Sequence, residues 1–233
     1  MEWQDRAVMI TGAAGHLGRA LAAWFRERGA RLVLLGHDGG SLQGAFAPDA
    51  RTLLLPADLR DPAQVRAVTA QAIERFGRIH ALCHVAGGFR SGEAVHETSP
   101  FTWDFLLDVN ARSLVHVAQA LVPHMIAQGG GRIVTVGAGA ALKGPAHMGA
   151  YSASKSALLR LTEAMAAELK AAGINVNCVL PSIIDTPDNR AAMPDADPAR
   201  WVAPQALAEV IAFLCSDAAR AIHGAAIPVA GLS

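Results

Sequence analysis

Short apolar runs rich in leucine and β-branched residues alternate along this chain with longer stretches whose apolar residues recur at helical spacing. The runs at 7–11, 31–35, 52–55, 81–85, 132–136, 175–180 and 226–229 predict strands, and the stretches at 15–28, 61–76, 101–128, 151–171 and 204–216 predict helices. The strand runs are close to continuously apolar, as expected of a parallel sheet covered on both faces. Punctuation agrees with the periodicity. Asp61-Pro62 reads as an N-cap followed by a first-turn proline, and Gly29, Gly77 and Gly173 stand where C-terminal glycines belong. Irregular chain is expected at 36–49, 86–100, 137–150 and 182–203. Three of these four follow directly on a strand, where ligands bind in open α/β sheets.

A chain of 233 residues suffices for one well-buried α/β domain and is too short for two substantial ones, so residues 1–233 are expected to form a single domain. Lys+Arg and Asp+Glu balance at 20 each, which leaves no excess of positive charge for nucleic acid. No apolar run approaches the roughly 20 residues that span a bilayer, so no membrane partner is expected. The opening Met1-Glu2-Trp3-Gln4-Asp5 has no basic segment ahead of its short apolar run, which argues against a signal peptide and for a cytoplasmic location. Cys83, Cys178 and Cys215 are odd in number and sit among apolar neighbours, a pattern of reduced, buried thiols. His80 and His84 share one side of a predicted strand without an acidic or cysteine neighbour, and no metal is expected.

Chemistry concentrates in two places. Thr11-Gly12-Ala13-Ala14-Gly15-His16-Leu17-Gly18 joins the first strand to its helix, and glycines there let backbone approach a pyrophosphate at the positive end of that helix. A tight turn without a ligand would also use glycine. Its place in the first of several βα units favours the dinucleotide. The second is Tyr151-Ser152-Ala153-Ser154-Lys155, where positions i and i+4 share a helical face. An ammonium beside a phenol favours the phenolate, so the tyrosine pKa is expected to fall below its usual value near 10. Tyr151 is the only tyrosine in the chain and opens a helix after a glycine-rich segment, which weighs against simple packing.

Together these segments resemble the short-chain dehydrogenase/reductase family over nearly the whole chain. TGAAGHLG is similar to its threonine-glycine turn, although the spacing of Gly12, Gly15 and Gly18 is that of the extended branch and His16 stands where the short form has glycine. Pro56-Ala57-Asp58-Leu59 resembles the adenine-contacting segment. Val85-Ala86-Gly87-Gly88 resembles the Asn-Asn-Ala-Gly stretch with His84 and Val85 replacing both asparagines, so a hydrogen bond is expected to be lost there. Asn110 matches a mid-helix asparagine that in relatives helps hold a water near the lysine. Pro181-Ser182-Ile183-Ile184-Asp185-Thr186 resembles the segment facing the nicotinamide carboxamide, which implicates Ile184 and Thr186.

The resemblance implies a Rossmann-type, doubly wound, mostly parallel seven-stranded sheet with helices on both faces. It also implies NAD(P)-dependent hydride transfer to or from a small carbonyl or imine-like substrate, with Tyr151, Lys155 and Asn110 catalytic. Cofactor contacts are expected from Gly12, Gly15, His16, Leu17, Gly18, His37, Asp58, Leu59, Val85, Ala86, Gly87, Tyr151, Lys155, Ile184 and Thr186, with residues 182–203 as a substrate loop. Glycine at 36, where NAD-specific relatives carry an acid, and a phosphate-capable imidazole at His37 predict use of both coenzymes with a slight lean to NADP. Resemblance also implies a homodimer or homotetramer, the predicted helix 101–128 packing against its copy.

One part of the family's site is missing. Thirteen residues before Tyr151, where most members have serine, stands Ala138. The dihydropteridine reductase branch also lacks this serine, and the chain resembles it at 85–89, 137–144 and 183–201. Phe89, Ala138 and Trp201 are accordingly the expected substrate contacts, Phe89 as an aromatic able to stack on a flat ring. A non-catalytic dinucleotide-binding protein and a non-redox lyase or isomerase using Tyr151 are the alternatives.

Overall fold

The computed structural model describes residues 3–233, so Met1 and Glu2 of the N-terminal segment lie outside it. Seven strands form: β1 (Ala7–Thr11), β2 (Arg31–Gly36), β3 (Thr52–Pro56), β4 (Ala81–His84), β5 (Gly131–Val136), β6 (Ile174–Pro181) and β7 (Ala226–Val229). All pair in parallel, in the order β3-β2-β1-β4-β5-β6-β7. Between them run α1 (His16–Glu27), α2 (Gly39–Ala45), α3 (Pro62–Phe76), α4 (Pro100–Leu107), α5 (Ser113–Ala127), α6 (Gly149–Leu169), α7 (Pro187–Ala192) and α8 (Pro204–Cys215).

Side chains alternate across each strand, which explains why the runs are apolar throughout. Val8 and Ile10 of β1 pack with Leu21 and Phe25 of α1 and Leu207 and Ile211 of α8. Ala7 and Met9 face the other way, onto Val65 of α3, Val117 and Leu121 of α5, and Ala166 of α6. Each fully buried Leu, Ile or Phe contributes about 1.5–3 kcal/mol of apolar burial. The chain reverses its direction of travel across the sheet at β1, flanked by β2 and β4, and the carboxyl ends of these strands open a crevice there.

Differences from the sequence reading have local causes. The expected irregular stretch 36–49 contains α2, because Asp38 accepts from the backbone N–H groups of Gly40 and Ser41 and starts a helix two glycines would not start alone. Thr186 does the same for the short α7 inside 182–203, accepting from Asn189 N–H. The single helix expected at 101–128 is two, joined by a π-turn at Asp108–Arg112 that carries Asn110 into the interior. The three cysteines are free and buried, with Cys83 Sγ 3.8 Å from Cys215 Sγ. Among the described residues no helix is long and apolar enough to cross a membrane.

Candidate active site

The crevice is a cavity of about 720 Å³ at the carboxyl ends of the central strands. Gly12, Gly15, His16, Leu17, Gly18, His37, Asp58, Leu59, Val85, Ala86, Gly87, Ile184 and Thr186 all line it, so the structure brings together residues spread over 175 positions. Its floor requires glycine. Gly12 has φ +65°, and a Cβ there would lie 2.9 Å from the Ala86 nitrogen. A Cβ at Gly18 would collide with the Gly12 carbonyl and come within 2.7 Å of Ala13 Cα. α1 starts at this floor with Gly15 as N-cap and no side-chain cap, which leaves its first N–H groups for an anion. Residues the sequence reading did not single out also line the cavity, including Arg60, Val109, Ser113, Asp188 and Asn189.

At the rim of the cavity beside His37, Asp38 is consumed as the α2 cap, accepting also from Ser41 Oγ at 2.7 Å. Those hydrogen bonds hold its carboxyl below the usual range. Asp58 accepts three hydrogen bonds from the Arg60 guanidinium, the shortest at 2.7 Å, and its pKa is lowered by them.

The catalytic candidates Tyr151, Lys155 and Asn110 do not line this cavity, Lys155 and Asn110 lying directly behind its Gly87. Tyr151 is in the first turn of α6 and meets Phe89 edge to face, ring centroids 4.9 Å apart. Lys155, one turn on, is buried and donates to the Val136 carbonyl at 2.9 Å. A Cβ at Gly87 would lie 3.1 Å from its Nζ and 2.8 Å from Asn110 Oδ1, so only glycine leaves room for both. Asn110 uses its whole amide: Oδ1 accepts from Gly88 N–H at 2.9 Å, and Nδ2 donates to Gly88 O at 3.0 Å and Ser154 Oγ at 2.9 Å. Ser154 Oγ in turn donates to the Tyr151 carbonyl at 2.8 Å. Asn110 therefore clamps the chain after β4 to the helix bearing Tyr151. Ser154 went unnoticed in the sequence, although its place between Tyr151 and Lys155 is the available signal.

The expected lowering of the tyrosine pKa does not occur in this structure. Burial pushes the Tyr151 phenol up to about 12. Burial also drives Lys155 down to about 8, so each group is pressed toward its neutral form by loss of water.

The hydrogen bond expected to be lost at His84 is instead present in altered form. Thr11 Oγ1 accepts from both Val85 and Ala86 N–H at 3.1 Å, which fills its two lone pairs. Its own proton must then go to His84 Nδ1, 3.2 Å away. Nε2 consequently bears the ring proton and donates to Ser113 Oγ at 3.2 Å, and Ser113 donates to Val109 O at 2.7 Å. His84 is thus a neutral, fully bonded imidazole, and burial with the Lys155 charge nearby lowers its pKa to about 3. His80, by contrast, accepts the Ala7 N–H at 3.0 Å and only ties β1 to the chain before β4.

None of the expected substrate contacts Phe89, Ala138 and Trp201 lines either cavity; Phe89 is 60% exposed beside Tyr151, whereas Trp201 is 8% exposed. Burial makes Trp201 a packing residue of the 182–203 segment. Ala138 is buried just beyond β5 and has no side-chain donor. Thr135 cannot replace the serine, because its hydroxyl is engaged with Thr162 Oγ1 at 2.8 Å inside the core.

Residues 12–231 match the family model described as Enoyl-(Acyl carrier protein) reductase. Cis-4-hydroxycyclohexanecarboxylate dehydrogenase of Sinomonas cyclohexanicum is 34% identical over 97% of this chain and 96% of its own. The (2S)-[(R)-hydroxy(phenyl)methyl]succinyl-CoA dehydrogenase subunit of Thauera aromatica is 32% identical over 98% of this chain and 96% of its own. Among solved structures, the 3-ketoacyl-(acyl-carrier-protein) reductase of Brucella melitensis in complex with NADH superposes with a TM-score of 0.89 at 28% identity, covering 98% of each chain.

Proposed function

The chain belongs to the short-chain dehydrogenase/reductase family of nicotinamide-dependent oxidoreductases, and from that premise we propose that it reduces a small carbonyl or imine-like substrate with Tyr151 as proton donor. The observation that carries this reading is the tie from Tyr151 through Ser154 and Asn110 to Gly88, beside a glycine-floored cavity whose Gly87 leaves room behind it for Lys155. The cavity suits a dinucleotide. Its glycines admit close backbone approach, the uncapped start of α1 favours phosphate, and Ile184 and Thr186 close the far end.

When bound, the nicotinamide coenzyme supplies the hydride. Tyr151, protonated at neutral pH, donates its proton to the substrate oxygen or nitrogen as negative charge builds there. The Lys155 ammonium, positioned by Val136 O under Gly87, favours that charge electrostatically. Tyr151→Phe is expected to lower turnover by at least about a hundredfold while coenzyme affinity stays within about threefold. Turnover near wild type would move the proton donor elsewhere.

Use of both coenzymes with a lean to NADP is supported by the absence of a carboxylate at Gly36 and by the commitment of Asp38 to capping α2. A quinonoid dihydropterin is a second substrate reading, favoured by the exposed ring of Phe89 next to Tyr151 and by an Ala138 that offers nothing to a ketone oxygen. Self-association is supported by apolar side chains exposed on α4 and α5, among them Trp103 and Ile126.

A further inference from the structure

A second cavity, of about 300 Å³, is walled by the chain just after Phe89 and the chain just before Tyr151. Its chemistry is that of an anion seat. Arg90 lies over the rings of Phe101 and Phe105, 4.4 and 4.2 Å from their centroids, and forms no ion pair among the described residues. A guanidinium resting on aromatic faces keeps the N–H donors at its edge available for a planar carboxylate. The one carboxylate among the described residues of the wall, Glu93, is already occupied. It accepts from Ser99 N–H at 3.0 Å, Ser99 Oγ at 3.4 Å and Thr102 Oγ1 at 3.0 Å.

The opposite wall is the start of α6. Met148 stands at its N-cap and supplies no side-chain acceptor, and Gly149 and Ala150 of the first turn face the cavity. First-turn N–H groups lack partners within a helix and favour negative charge. The residue before, His147, holds a left-handed backbone at φ +60°, with its carbonyl fixed by Gly92 N–H at 2.8 Å. Strain of this kind persists only where surrounding structure enforces it, and here it shapes the cavity wall.

We propose that this cavity seats a carboxylate carried by the substrate, held by Arg90 and the first turn of α6 while the reacting carbonyl of the same molecule meets Tyr151. The inference rests on the reading of Tyr151 as proton donor. Gly149 and Ala150 of the wall immediately precede Tyr151 in the first turn of α6, so the seat adjoins the turn that carries the phenol. The seat also gives the site a means of orienting substrate that does not depend on the serine absent at Ala138.

The test compares 4-oxocyclohexanecarboxylate with its methyl ester, and adds cyclohexanecarboxylate as an anion that cannot be reduced, in wild type, Arg90→Met and Arg90→Lys. Methionine keeps an apolar stem on Phe101 and Phe105 without the charge. Unchanged coenzyme affinity certifies that each variant is folded. Wild type is expected to favour the acid over the ester by at least about tenfold in kcat/KM, the range of a charge-assisted hydrogen bond. In Arg90→Met the ratio should fall to about one with ester turnover within about threefold, and lysine should give an intermediate ratio. Equal use of acid and ester by wild type, or an acid preference that survives in Arg90→Met, overturns the seat. Calorimetry with cyclohexanecarboxylate separates the two readings. Binding that weakens at least about tenfold in Arg90→Met, in a protein that reduces none of the carbonyl compounds, supports the seat and removes hydride transfer. Turnover without any dependence on Arg90 does the reverse.

Discussion

His84 makes the fold sensitive to acid in a way that can be computed and then removed by one substitution. Its imidazole accepts the Thr11 proton at Nδ1, so protonation would set two donors against each other inside the sheet. Burial, with the Lys155 charge nearby, sets the folded-state pKa at about 3, against 6.5 for an exposed histidine. A depressed folded value means that the stabilising contribution is complete above pH 6.5 and is lost as pH falls toward 3, because only the unfolded chain takes up the proton. Linkage between these two values gives a loss of about 2 kcal/mol by pH 5 and about 3 kcal/mol by pH 4. His84→Asn retains a side chain able to bond Thr11 but has no titrating group. It is expected to cost about 1–3 kcal/mol at pH 7.5, since Ser113 loses a donor. Its stability should then fall about 2 kcal/mol less than that of wild type between pH 7.5 and pH 5. Urea denaturation of both proteins at those pH values measures the difference, in which contributions from His80 and surface carboxylates cancel. Parallel losses in the two proteins would mean that His84 is protonated in the folded state and that the bonding order deduced from Thr11 is wrong.

Lys155 should set the alkaline limb of the reaction: its pKa of about 8 predicts that kcat/KM for reduction falls as pH rises past 8, and a profile flat to pH 10 would exclude a role for its charge. Ala138→Ser is expected to leave activity on the native substrate within about threefold, and a large gain in steady-state rate would identify the site as a damaged form of the serine-containing one. Fluorescence titration should give NADPH and NADH dissociation constants within about tenfold of each other, NADPH the tighter, with the lean erased in His37→Ala. A hundredfold preference for NADH would remove His37 from the coenzyme site.

The strands were legible because their faces are both buried. Val8 and Ile10 on one side and Ala7 and Met9 on the other leave no polar position to interrupt the run, and length with glycine punctuation then separates strand from helix. Helices α2 and α7 were not legible, since both depend on one capping side chain, Asp38 or Thr186, rather than on any apolar period. The break between α4 and α5 escaped for a different reason. A π-turn adds one residue to a turn and leaves composition unchanged, so periodicity continued through Asp108–Arg112 while the side chains rotated.

In the site, the glycine turn and the Tyr151/Lys155 pair are local in sequence and could be read from spacing alone. What fixes them is not local. Thr11 and His84 are 73 residues apart, Asn110 and Ser154 are 44 apart, and Gly87 makes room for both Asn110 Oδ1 and Lys155 Nζ. Reading His84 as the loss of an asparagine hydrogen bond failed because a residue type was compared without its partner. An imidazole has one acceptor and one donor when neutral, and Thr11 and Ser113 require one of each. The same reasoning bears on the missing serine. Thr135, nearby in sequence, is already satisfied by Thr162, whereas Arg90, distant in sequence, carries donors that none of the described residues has taken. Substrate orientation therefore falls to groups on the far wall of the site, and a residue's unused bonding capacity locates them where motif spacing does not.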